Sequence, residues 1–151
     1  DGETAWGTYN SEQRAAGRSG WQAFDPATGF STSIGYIIRA RNDSSTLTIH
    51  IPEQAREKAA GTIPFAYYQS AHQQNANWNF IGNPYPFRYD IMAALEAADI
   101  EAPIAVWNGT GYTTYTPGID EFVLEPFTGY FIQLPDNGPE TLPLSADYIV
   151  E

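Results

Sequence analysis

An all-β fold, a β-sandwich or jelly-roll-like arrangement with two short helices, is predicted by three features of this 151-residue chain. Aromatic residues make up 15% of it, and Tyr, Phe and Trp, like Ile and Thr, fit the pleated, half-buried surfaces of sheets. Leu and Met are scarce, which argues against a helical bundle. The 11 Pro and 13 Gly are scattered as turn punctuation rather than gathered in a linker. A chain of this length forms one domain and buries roughly two thirds of its unfolded surface. Residues 1–151 are therefore read as a single β-rich module, and the Asp1-Gly2 start without Met predicts that it belongs to a longer precursor.

The elements follow in order. Gly35-Tyr36-Ile37-Ile38 reads as a strand, Asn42-Asp43-Ser44-Ser45 as a turn and Thr46-Leu47-Thr48-Ile49 as a returning strand. Pro52 to Ala60 reads as a helix, with Pro at its first position and Gly61 just past its end. Thr62–Tyr68 and Trp78–Ile81 are strands. Asp90–Ala98 is the second helix, capped by Asp90, with Ile91, Met92 and Leu95 as its apolar stripe. Ile104–Trp107 and Tyr112–Thr116 form a hairpin. Gly129-Tyr130-Phe131-Ile132, the turn Pro135–Pro139 and Thr141-Leu142-Pro143-Leu144 then repeat the order of the first block, and Tyr148–Val150 is a last strand. The echo has two readings, chance similarity of short hairpins or an internal duplication that sends Tyr or the second following apolar residue of each block into one shared core.

The net charge of −11, from 18 acidic and 7 basic residues, repels phosphate backbones and anionic headgroups. Nucleic acid is thus not an expected partner, and no run has the length of a membrane span. The absence of Cys removes disulfides and thiolate metal sites.

Catalytic chemistry is not expected. The two histidines, His50 and His72, have no zinc-binding spacing, and no nucleophile elbow, phosphate loop or dinucleotide fingerprint occurs. The carboxylate groups Asp120-Glu121 with Glu125, Asp99 with Glu101, and Glu53 with Glu57 read as solvated surface charge rather than a glycosidase pair. No cofactor is expected. A structural calcium ion fits β-modules of this kind, but no loop spacing places one.

Aromatic placement is more informative. The four-residue loop Asn108-Gly109-Thr110-Gly111 makes Trp107 and Tyr112 direct cross-strand partners. Alternation puts Trp107, Tyr112, Ala105 and Thr114 on one face, and Ile104, Val106, Thr113 and Tyr115 on the other, which is the better core face. Trp107 and Tyr112 are then presented outward near a loop tip, with Asn108 supplying polar contacts. Such a pair is either a platform for the apolar C–H faces of sugars, or a packing pair worth about 0.5–1.5 kcal/mol to the hairpin. Trp21 and Trp6, with Tyr9, are secondary candidates for exposure, and Trp78 is assigned to the core.

Trp78-Asn79-Phe80-Ile81-Gly82-Asn83-Pro84-Tyr85-Pro86 resembles the W-N-(L/F)-(I/V)-G-N-P-Y-P segment of β-rich modules in large secreted and surface proteins of Bacteroidetes, often associated with type IX secretion. Ile34–Ile38, Val106–Tyr112 and Pro126–Ile132 are similar to strands that accompany it, so the resemblance spans roughly residues 30–135. After Pro86 the family usually runs S-x-I-D-W, whereas Phe87-Arg88-Tyr89-Asp90 stands here, and no sorting domain is present. The resemblance implies a secreted or surface setting and a β-rich fold, and no reaction. The residues themselves predict a rigid corner rather than a direct ligand contact: Gly82-Asn83 can take positive φ, Tyr85-Pro86 is a candidate for a cis bond, and Tyr85 is expected in or beside the core.

Two functions are consistent with these residues. One is a non-catalytic extracellular module that binds polysaccharide or glycosylated surfaces through exposed aromatics. The other is a structural spacer, assembly or adhesion module whose partners are the neighbouring domains of its parent protein.

Overall fold

A computed structural model describes residues 5–31, 34–39, 48 and 60–150. Among these residues the chain runs β1 (Ala5–Tyr9), α1 (Ser11–Ala15), β2 (Trp21–Phe24), β3 (Tyr36–Arg39), β4 (Gly61–Pro64), β5 (Trp78–Gly82), β6 (Arg88–Tyr89), α2 (Ile91–Ala97), β7 (Ile104–Trp107), β8 (Tyr112–Tyr115), β9 (Gly129–Gln133), β10 (Thr141–Leu144) and β11 (Ile149–Val150). The fold is mainly β, as the composition predicts. All of the expected helix Pro52–Ala60 except Ala60, the turn at Asn42–Ser45 and most of the strand Thr46–Ile49 lie outside the described residues. A short helix that was not expected, α1, lies near the start. Asn10 caps it by accepting a hydrogen bond from the Gln13 amide at 2.9 Å, and that N-x-x-Q spacing was its available signal.

A four-stranded antiparallel sheet in the order β5–β9–β7–β8 organises the molecule. One face carries Ile81, Tyr130, Ile132, Ile104 and Val106. These pack against α2 and against the β4–β10 pair, through Ile91, Leu95, Ile63 and Leu142, to form the main core. Helix α2 keeps its expected design: Asp90 Oδ1 accepts from the Ala93 amide at 3.0 Å, and Ile91, Met92 and Leu95 are buried. The other face carries Trp78, Phe80, Phe131, Ala105, Trp107 and Tyr112. Part of it is covered by the three-stranded sheet β2–β1–β3, whose Tyr9 and Trp21 are cross-strand partners facing it.

The echoing blocks are not equivalent hairpins. Strand β9 pairs with β5 and β7, whereas β10 pairs with β4, so the second block does not fold back on itself. Buried central strands of a sheet take both partners from elsewhere, and the turn Pro135–Pro139 leads out of the sheet rather than reversing it. The shared core also fails. Tyr130 and Ile132 are buried, but Tyr36 is only half-buried in a separate aromatic group and Ile38 is 40% exposed. What the blocks do share is their glycine. A Cβ at Gly35 would overlap the Phe80 ring, and one at Gly129 would come within 2.8 Å of it, so the ring is held between two bare backbones.

The nine-residue segment around β5 is a set of clamps. Asn79 is buried. Its Oδ1 accepts from the Ala66 amide at 2.7 Å, and its Nδ2 donates to the carbonyls of Ala66 at 3.0 Å and Asn77 at 3.1 Å. A side chain thus stands in for the strand partner that residue 66 lacks. Asn77, fully buried at φ 56°, accepts from the Tyr68 amide and donates to Asp136. Asn83 accepts from the Tyr85 amide and donates to the carbonyls of Phe87 and Glu125. The corner is therefore built by an asparagine side chain. Gly82 and Asn83 are not at positive φ, and Tyr85-Pro86 is trans, contrary to expectation. Tyr85 is buried, as expected.

Candidate functional site

The hairpin β7–β8 has the register that its loop length predicts, with Trp107 opposite Tyr112 and Ile104 opposite Tyr115. Ile104 and Val106 face the core, while Trp107 and Tyr112 are 55% and 53% exposed, with ring centroids 5.1 Å apart in an edge arrangement. Asn108 does not present free polar groups. Its Oδ1 accepts from the Thr110 amide and hydroxyl and from the Gly111 amide, and its Nδ2 donates to Thr113 Oγ1. It builds the loop, as Asn does at turns, because its short side chain reaches backbone groups two and three residues on.

Tyr112 leads from this hairpin into a cleft of about 410 Å³ between the two sheets. Trp78, Phe131 and Tyr112 form one wall, and Tyr9, Trp21 and Arg14 form the other. The space exists because Ala105 is the cross-strand neighbour of Phe131, and a small side chain there leaves a gap between larger rings. Phe131 is the hub. Its ring lies 4.8 Å from Tyr9, 5.7 Å from Trp21, 6.1 Å from Trp78 and 5.7 Å from Tyr112, each near edge-on. Gly20 is buried against Tyr9, where any Cβ would overlap the ring.

Of the expected residues, Tyr112 and Trp21 are brought together across the cleft, with Trp107 on its flank. Trp6 is elsewhere. Alternation along β1 turns it away from Tyr9, onto the face of the three-stranded sheet where it meets Phe30 at 5.0 Å, beside Phe24 and Tyr36. Trp78 is half-buried and walls the cleft instead of entering the core; its indole N–H donates to the Gln74 carbonyl at 2.8 Å. Tyr9, a secondary candidate for exposure, joins the site, while Arg14 and Phe131 were not expected there. The alternation of β9 carried a signal for Phe131, since Tyr130 and Ile132 claim the opposite face.

The polar groups of the cleft are donors held ready. Among the described residues, the Arg14 guanidinium and the Tyr9 and Tyr112 hydroxyls have no hydrogen-bond or ion-pair partner. Burial raises the Tyr9 phenol above its ordinary value, an effect that the Arg14 charge opposes and Tyr112 reinforces; burial also raises Tyr112. Both phenols are neutral at physiological pH. His72 is exposed and His50 lies outside the described residues. Of the carboxylates, Glu125 pairs with Arg88 at 3.2 Å, and Asp120 accepts from the Thr116 amide at 2.7 Å. Among the described residues no three His, Asp or Glu side chains converge, and no helix is long and apolar enough to cross a membrane. No family model, curated protein or solved structure matches the chain.

Proposed function

We propose that this chain is a non-catalytic extracellular module that binds carbohydrate in the cleft between its two sheets. The observation that carries the reading is the convergence of Tyr9, Trp21, Trp78, Tyr112 and Phe131 on one open cleft, with Trp107 exposed beside it. Soluble proteins bury rings of this size unless a surface needs them, and an exposed apolar patch rimmed by polar groups marks a binding site. Sugar rings offer apolar C–H faces to such rings and hydroxyls to the phenols around them. Stacking contributes about 1–2 kcal/mol per ring, by analogy with aromatic pairs and exposed cation–π contacts. Two or three rings then give about 2–6 kcal/mol, on the order of tens of millimolar to tens of micromolar, which tethering beside other modules strengthens. The extracellular setting is supported by the resemblance of the Trp78–Pro86 segment to modules of secreted and surface proteins.

The test is native electrophoresis through gels containing soluble glucans, xylans, mannans and pectins. Retardation by at least one polymer, lost in Trp21→Ala and Tyr112→Ala proteins that still fold, is the expected result. Unretarded migration across the panel overturns the reading. A spacer or assembly module is the second reading, favoured by one observation: Asn77, Asn79 and Asn83 are all occupied in holding the chain to itself. Unretarded migration with an intact fold would favour it.

A further inference from the structure

The cleft wall is charged, and its sign runs against that of the chain. Eighteen acidic residues outnumber seven basic ones, yet among the described residues the one ionised side chain lining the cleft is Arg14. It lies in the last turn of α1, half-buried, with no carboxylate paired to it among the described residues. A partly desolvated, unpaired cation is unfavourable for the free protein and becomes favourable once an anion meets it. The other unpartnered groups are the Tyr9 and Tyr112 hydroxyls, both able to donate.

Resting on the glycan reading, we propose that the cleft selects a carboxylated sugar, with Arg14 as the group that binds its carboxylate. The geometry suits a pyranose acid. Its ring lies against the aromatic wall of Trp78 and Tyr112, and its carboxylate, carried at the ring edge, reaches the opposite wall, where Arg14 stands beside Trp21. A guanidinium presents a planar fork of N–H donors that matches both carboxylate oxygens at once, which a lysine does not. The overall charge of −11 repels long polyanions, so short acidic oligosaccharides, or chain ends, suit the cleft better than extended polymers.

Two matched pairs of probes test this on the whole chain by amide chemical-shift titration, which also reports the fold: trigalacturonate against its methyl ester, and sialyllactose against its methyl ester. The expected result is that at least one acid binds about fivefold or more tighter than its uncharged partner, a charge-assisted bond discounted for solvent exposure. Arg14→Gln should remove the preference, weakening the acid more than its uncharged partner, and Arg14→Lys should restore part of it. Equal binding of acid and uncharged partner, or a preference that survives Arg14→Gln, overturns the role of Arg14 and leaves the glycan reading standing. Lack of binding to all four probes overturns the carboxylate selection; the polymer panel above then decides the glycan reading separately.

Discussion

Along β9, Tyr130 and Ile132 are 1% and 0% exposed against α2 and the β4–β10 pair, while Phe131 between them turns to the opposite face and lines an open cleft. The same alternation runs through β5 and β7, where Ile81, Ile104 and Val106 face the core and Trp78, Ala105 and Trp107 face outward. One face is largely aliphatic and sealed. The other is aromatic and incompletely covered, because the three-stranded sheet shields Phe80 and part of Phe131 but stops short of Tyr112 and Trp107. Aliphatic side chains gain most from complete removal from water. Aromatic rings also form edge-on pairs that hold their orientation when one side stays wet, so they can build a rigid wall at an opening. A sealed face and an open face thus divide between alternate residues of single strands.

Breaking the sealed face should have the largest effect. Ile132→Ala removes buried methyl groups at the centre of the sheet and should lower unfolding free energy by about 2–5 kcal/mol, measured by urea unfolding. A loss below about 1 kcal/mol would mean that this face is not the main core. Next comes Asn79→Ala, which strips the side-chain partner from both the amide and the carbonyl of Ala66, while the Asn77 carbonyl keeps the Leu134 amide. It should cost about 1–3 kcal/mol, because unsatisfied backbone groups are expensive where water cannot reach them fully. Asn79→Asp should not rescue it, since it replaces the Nδ2 donor with an acceptor.

Alkaline titration sharpens the same contrast. Burial pushes the Tyr89 phenol up to about 12, and Tyr130 is also raised, by burial first and then by Tyr89. Both are acids that are neutral when protonated and whose folded values exceed the unfolded value of 10.0. The stability they contribute is therefore complete below pH 10 and falls as pH rises from there towards and beyond pH 12. Phenolate absorbance should show the Tyr89 and Tyr130 phenols ionising only with unfolding. Ionisation of all ten together near pH 10, with the fold intact, would contradict the sealed face.

The smallest stability effect belongs to the open face. Trp107→Ala should change unfolding free energy by less than about 1 kcal/mol, the worth of one exposed aromatic pair, while weakening retention on a bound glycan. If it unfolds the domain, the ring is a packing element and the open face ends at Tyr112.

Local rules made several of these features legible in the chain. The four-residue loop set the Trp107–Tyr112 pairing, since hairpin length fixes register. Asp90 and the Ile91/Met92/Leu95 stripe defined α2, since capping and a 3.6-residue period act within a few residues. Alternation identified Ile104 and Val106 as core. Where the reading failed, the missing information was non-local. A conserved-looking order of strand, turn and strand at 129–144 suggested a hairpin, but the choice of partner for β9 rests on which strands lie beside it in space. Asn83 read as a residue that turns a rigid corner through its own backbone, yet its role depends on carbonyls at Phe87 and at Glu125, 42 positions away.

The sequence by itself determined the β class, the positions of most described strands and helix α2, and which side of β7 faces the core, because these follow from periodicity, caps and turn length. Tertiary structure decided that Trp21 and Tyr112, 91 positions apart, face one cleft with Arg14 on its rim, and that Trp6, only three residues before Tyr9, does not. The reason is physical. A strand specifies which of its side chains share a face, but the layer laid over that face, and where the layer ends, depends on the packing of whole sheets.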